Sequence, residues 1–131
     1  MEDRLTASYA RVMDKPLTPR AHVALDYAWG ATLLTLPHVL GVSRRARAFF
    51  GLFGALALVV NALTDTPLGV RRLVPLRVHR AIDLATDPFY ALLPLTTGIV
   101  REPRARALWL AGGAVLAGSV ALTDWDAPPD R

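Results

Sequence analysis

The sequence predicts an all-α membrane protein: four transmembrane helices arranged as two tandem parallel helical-hairpin repeats, preceded by a short N-terminal amphipathic helix. Apolar residues make up 53% of the 131-residue chain and charged residues only 20%. The charges are also segregated. Residues 27–43, 48–64 and 107–123 contain no Asp, Glu, Lys or Arg, and 88–100 is a fourth such run that reaches bilayer length when 81–87 is included. Runs of about 17 residues stand at the lower limit for crossing a bilayer as a helix. They are apolar all round, whereas the helices of a soluble bundle present polar residues on every turn. Finally, the second half of the chain repeats the order of polar and turn residues found in the first.

In chain order, residues 1–19 form a surface segment. Leu5, Tyr9, Val12 and Met13 recur there at helical spacing between charged residues, the pattern of a short amphipathic helix on the membrane surface or against the bundle, the alternative being a frayed polar tail. Its polar character argues against a cleavable signal peptide, and Pro16 and Pro19 end it. The first repeat, 20–65, holds helices over 21–42 and 48–64, with Pro37 bending or opening the last turns of the first. The short basic link 43–47 makes them an antiparallel hairpin. A connecting loop, 66–76, is turn-rich through Pro67, Gly69 and Pro75. The second repeat, 77–124, holds helices over 79–99, containing Pro88 and Pro94, and over 107–123; 125–131 is a polar tail.

Gly51, Gly54 and Ala55 on the second helix form a small-residue surface that lets another helix approach closely. Gly112, Gly113, Ala114 and Gly118 form one on the fourth. Four spans place both termini on one side. With the tails counted, that side carries the larger share of Lys and Arg, against Arg44, Arg45, Arg47, Arg101, Arg104 and Arg106 on the other, which predicts cytoplasmic termini.

Sliding the chain until Arg20 meets Arg77 also superposes His22 on His79, Ala24 on Ala81, Asp26 on Asp83, Pro37 on Pro94, Gly41 on Gly98, Arg44 on Arg101 and Arg47 on Arg104. After two extra residues in the second copy, ALTD at 62–65 meets ALTD at 121–124. Two-helix copies share one orientation and are related by a pseudo-two-fold axis along the membrane normal.

Thr64-Asp65, Leu68-Gly69, Val74-Pro75-Leu76, His79 and Asp83 resemble the signature of the SPW-repeat family, small prokaryotic integral membrane proteins built from two-helix repeats. Each family repeat carries Ser-Pro-Trp late in its first helix. Here those positions read Leu36-Pro37-His38 and Leu93-Pro94-Leu95, so only the proline remains. Asp87 stands where the resemblance implies a glycine, as Gly30 does in the first copy. The resemblance implies the fold and a prokaryotic inner or plasma membrane; it implies no activity.

His22/Asp26 and His79/Asp83 are i, i+4 pairs, so each histidine shares a helix face with its aspartate. The repeat brings both pairs toward one membrane surface, where Asp65 and Asp124 end the second and fourth helices. Read structurally, Asp26 and Asp83 lie in first turns, where a carboxylate suits the helix dipole, and pair with a nearby arginine or histidine. Asp65 and Asp124 stand at helix C-termini, where an arginine or loop amide has to compensate. Asp87 lies deepest, just before Pro88, and has no counterpart in the first copy; it either satisfies backbone groups freed by the proline or has a functional role, and it is the first place to look for function. The candidate polar cluster is therefore His22, Asp26, Asp65, His79, Asp83, Asp87 and Asp124. Two histidines on two helices admit haem ligation, and the His/Asp set admits a metal. Trp29, Trp109, Trp125 and Tyr27 read as interface or packing aromatics.

No cysteine is present, which excludes disulfides, thiolate metal sites and cysteine catalysis. The arginines flank apolar segments, so the net charge of +4 reads as membrane anchoring rather than nucleic-acid binding. No nucleophile elbow, phosphate loop or hydrolytic metal motif occurs. The leading expectation is a non-enzymatic accessory or scaffolding subunit, or a small homo-oligomer, with the lipid bilayer and a larger membrane complex or itself as partners. The alternative is ion or proton transport, or binding of a metal or haem, through the His/Asp cluster; a third option is a membrane enzyme whose site is this cluster.

Overall fold

The computed structural model describes residues 15–130. The chain is all-helical, with four α-helices among the described residues: α1 (Pro19–Val39), α2 (Arg44–Leu63), α3 (Leu76–Thr97) and α4 (Pro103–Leu122). A 3-10 turn, Ile99–Arg101, precedes α4. The predicted N-terminal amphipathic helix falls on residues outside the described ones, apart from the segment from Lys15 onward, which is not helical before Pro19.

Each helix begins two to four residues earlier than the charge pattern predicts. Capping decides the boundary. Thr18 accepts the Ala21 amide at 3.1 Å and Ser43 accepts the Ala46 amide at 3.2 Å, while Pro19 and Pro103 open α1 and α4. The arginines predicted to fill the 43–47 link therefore sit in the first turn of α2. α1 and α3 also stop short, because Gly41 (φ 64°) and Gly98 (φ 77°) take the left-handed conformation after the last turn. As a result Asp26 and Asp83 lie two turns inside their helices, and neither helix has an acidic residue in its first turn. The dipole explanation of these two aspartates is thereby removed, since that effect fades beyond the first turn.

α1 packs against α2 and α3 against α4. Gly30 and Gly54 let the first pair close: a Cβ added to Gly54 would lie 2.7 Å from the Gly30 carbonyl oxygen. In the second pair, Tyr90 lies against Gly112 and locks reciprocally to Trp109. The Tyr90 hydroxyl donates to the Trp109 carbonyl (3.2 Å), and the Trp109 indole donates to the Tyr90 carbonyl (3.1 Å). Gly54 and Gly112, predicted to meet a partner helix, are thus occupied within the chain.

The apolar core sits toward the hairpin links, where Phe49 stacks near Phe50 (5.0 Å) and Tyr90 (5.3 Å), with Leu33 and Leu108 buried beside them. The links are tied across hairpins. Arg45 donates to the Thr97 carbonyl (2.7 Å), Arg104 donates to the Leu40 carbonyl (2.9 Å), and Glu102 accepts from the amide (2.9 Å) and hydroxyl of Ser43.

At the other end, short extended segments do the tying. Leu17 pairs with Thr123, ahead of α1 and after α4, and Val74 pairs with Thr64, ahead of α3 and after α2. Between these ends lies the polar cluster.

α2 and α4 are long and apolar enough to cross a membrane by length and composition. α1 and α3, the helices that carry the His/Asp pairs, do not meet that measure, so length and composition match two of the four predicted spans.

Candidate metal centre

Four side chains from α1 and α3 meet at one place. His22 Nε2 lies 3.2 Å from Asp26 Oδ2 and 3.3 Å from Asp83 Oδ2. His79 Nε2 lies 3.4 and 3.3 Å from the same two oxygens. Two nitrogens and two oxygens therefore alternate around a ring, and the four residues present ligand atoms within 4.8 Å of one another. The imidazoles are 0% exposed, the Asp26 and Asp83 side chains 8% and 18%.

The far side of each imidazole fixes its tautomer. His22 Nδ1 lies 2.8 Å from Thr123 Oγ1, and His79 Nδ1 lies 2.7 Å from Thr64 Oγ1. Each threonine hydroxyl has one proton and gives it to the carbonyl one turn back, Thr123 to Ser119 (2.6 Å) and Thr64 to Val60 (2.7 Å). The hydroxyl oxygens can then only accept, so both Nδ1 atoms carry the proton. The Ser119 carbonyl, 3.4 Å from His22 Nδ1, demands the same. In the neutral imidazole this aims the Nε2 lone pair into the ring. Holding a ligating histidine through its other nitrogen is the usual second tier of a metal site.

The ring consequently sets acceptor against acceptor. Asn61 donates to Asp26 Oδ2 at 3.2 Å, but both Nε2 atoms and Asp83 Oδ2 are buried with no hydrogen-bond partner among the described residues. Lone pairs and carboxylate charge facing each other at this distance repel in a weakly polar interior. Two positive charges relieve this: one divalent cation, or one extra proton on each imidazole.

The spacing suits a cation. A tetrahedral ion with bonds of about 2.0–2.1 Å holds its donors about 3.3–3.4 Å apart; the four N–O separations match this, while the ligand atoms as a set span up to 4.8 Å, so the ring has to contract along its diagonals to take an ion tetrahedrally. Two imidazoles and two carboxylates suit divalent zinc, iron, manganese or cobalt, and the lack of thiolate disfavours soft ions. The site does not fit haem. A porphyrin separates its two axial nitrogens across its plane, whereas these imidazoles contact edge to face with ring centres 5.3 Å apart and share the same carboxylate oxygens.

Of the sequence candidates, His22, Asp26, His79 and Asp83 form the ring. Asp87 stays outside it and lines an adjoining cavity of about 40 Å³ that Asp26 and Asp83 also line. Asp65 is turned to the surface and pairs with Arg72 at 2.6 Å. Asp124 caps the turn after α4, its carboxylate accepting the Asp126 amide at 3.2 Å. His38 is exposed on the far end of α1.

Sequence reasoning missed Thr64, Thr123, Asn61 and the role of Trp125. The threonines carried a signal in the repeated ALTD, where attention fell on the aspartate. When the two ALTD stretches are superposed, Asn61 meets Val120. Trp125 lies over the imidazoles, 4.7 Å from His22 and 6.0 Å from His79, and closes the ring on the side of the tail.

Comparison with protein-family models, with curated proteins and with solved structures finds no match.

Proposed function

We propose that this chain is a four-span membrane protein, two hairpin repeats of the SPW-repeat type, whose buried ring binds one divalent transition-metal ion. The observation that carries the proposal is the convergence of both Nε2 atoms and both Asp Oδ2 atoms, with each Nδ1 already committed to a threonine. A divalent ion with two carboxylates and two neutral imidazoles is uncharged overall, which is the form a low-dielectric interior tolerates.

The membrane reading is supported by what the bundle leaves outside. Leu52 and Val59 on α2, Leu84, Phe89, Leu92 and Leu95 on α3, and Leu110 on α4 are exposed. From Leu84 onward α3 turns Leu84, Leu92 and Leu95 outward while His79 and Asp83 face inward, the reverse of a helix facing water. Association with itself or with a larger complex is a separate proposal, resting on the small residues still free outside, such as Gly118.

Titrating Co²⁺ into the detergent-purified protein tests the metal reading. A saturable visible band that His22→Asn and His79→Asn each abolish supports it; a wild type that shows no such band sinks it. The second reading, two imidazolium–carboxylate pairs handling protons, is favoured by the same charge balance. In that case Co²⁺ gives no band, yet both histidine variants still lose stability.

A further inference from the structure

The ring has two unlike sides. On the tail side Trp125 covers both imidazoles, and Thr64 and Thr123 behind them are fully buried. On the opposite side, toward the middle of the bundle, the carboxylates are the more open members of the ring and line the cavity of about 40 Å³. A space of that size holds one or a few water-sized molecules, since about 10–15 Å³ suffices for one.

Its polar groups are gathered near the ring: Asn61, Thr86 and Asp87 beside Asp26 and Asp83. The Asn61 Oδ1 atom is buried without a partner among the described residues. Trp29, Leu33 and Phe53 make up apolar wall. An ion held by four protein donors can expand to a fifth, and a reactive metal site differs from a structural one in keeping such a position reachable.

On the metal reading proposed above, we infer that the cavity is the binding place of a small, uncharged oxygen- or nitrogen-donor molecule that reaches the metal from inside the bundle. Charge selects against anions there. The loaded ring is neutral, and Asp87 adds a carboxylate to the cavity wall. The apolar surroundings select against ions in general, since an unpaired charge costs far more to bury than a small neutral molecule such as dioxygen or nitric oxide. The ring is then a reactive or sensing centre rather than a staple.

Nitric oxide is the probe. The full chain in detergent is loaded anaerobically with Fe²⁺, exposed to nitric oxide and examined by EPR. The expected result is a high-spin ferrous-nitrosyl signal in proportion to bound iron. Ala57→Leu fills the cavity, because Ala57 lines it. It is expected to hold Fe²⁺ within about threefold of wild type while lowering the nitrosyl signal at least about tenfold.

Ala55→Leu adds the same bulk at an exposed position and leaves the signal unchanged. Should Ala57→Leu fail to fold, Ala57→Val reads the same effect in smaller measure. Iron bound without a nitrosyl signal overturns this inference alone, as does a full signal in the folded, filled variant. A wild type that binds no Fe²⁺ in dialysis overturns the metal reading and this inference together.

Discussion

His22 Nδ1 and Thr123 Oγ1 lie 2.8 Å apart across the two halves of the chain. His79 repeats the relationship with Thr64 in the opposite sense, at 2.7 Å. Each imidazole is oriented by a threonine from the other hairpin, so the hairpins must dock before the ring exists. The threonines are positioning residues, and replacing them isosterically by valine is expected to lower metal affinity about 10–100-fold while leaving the fold intact. Thr64→Val should cost more than Thr123→Val, because His22 keeps the Ser119 carbonyl at 3.4 Å as a second acceptor and His79 has none among the described residues. Competition of each variant with a metal-chelating dye measures the order; equal or reversed losses contradict the assignment of the tautomers.

Asp87 separates the ring from the residue the sequence favoured. It lines the cavity but takes part in none of the four N–O pairs of the ring. Asp87→Asn is expected to leave equilibrium metal affinity within about threefold, whereas Asp26→Asn and Asp83→Asn each lose at least about 100-fold by removing a charged ligand. Equilibrium dialysis of the three variants side by side decides it. A loss in Asp87→Asn as large as in Asp83→Asn would place Asp87 among the ligands.

The crossing of α1 and α2 depends on backbone contact at Gly30 and Gly54. A methyl group at Gly54 would stand 2.7 Å from a backbone oxygen, which cannot swing aside as a side chain can. Gly54→Ala is expected to destabilise the protein by about 1–3 kcal/mol, read as a lower denaturation midpoint in detergent. Gly118→Ala, inside α4 with nothing within 4 Å, should leave the midpoint unchanged or raise it slightly.

Glu102 gives a pH signature at the other end. The hydrogen bonds from the Ser43 hydroxyl and amide hold its carboxyl below the ordinary value of 4.5. A depressed folded value means the stabilisation is present above the unfolded value and fades as pH falls through the lower folded one. Glu102 is open to solvent, so the effect is small. Glu102→Gln should lower the melting temperature slightly near neutral pH, and the difference from wild type should close on acidification. A difference that widens toward acid contradicts the linkage.

The absence of cysteine makes topology directly measurable. Val70→Cys and Arg101→Cys place single cysteines at exposed positions on opposite ends of the bundle. In sealed vesicles an impermeant thiol reagent should label them from opposite sides. Labelling of both from one side would contradict the four-span reading.

Helix number, and the pairing of each histidine with its aspartate, were legible because apolar run length and i, i+4 spacing are local properties. The boundaries were not: Thr18, Ser43, Gly41 and Gly98 set them, and arginines at helix starts read as loop. The partnership of Asp26 with His79, and of Asp83 with His22, depends on how α1 docks against α3, which no local pattern states. Taking the aspartates for dipole partners followed directly from starting the helices too late.

The central claim is that the ring holds a metal. After equilibrium dialysis of the detergent-purified full chain against trace Zn²⁺, elemental analysis should find one ion per chain, falling to background in the His22→Asn/His79→Asn double variant. Wild-type protein carrying no more metal than that variant would contradict the account.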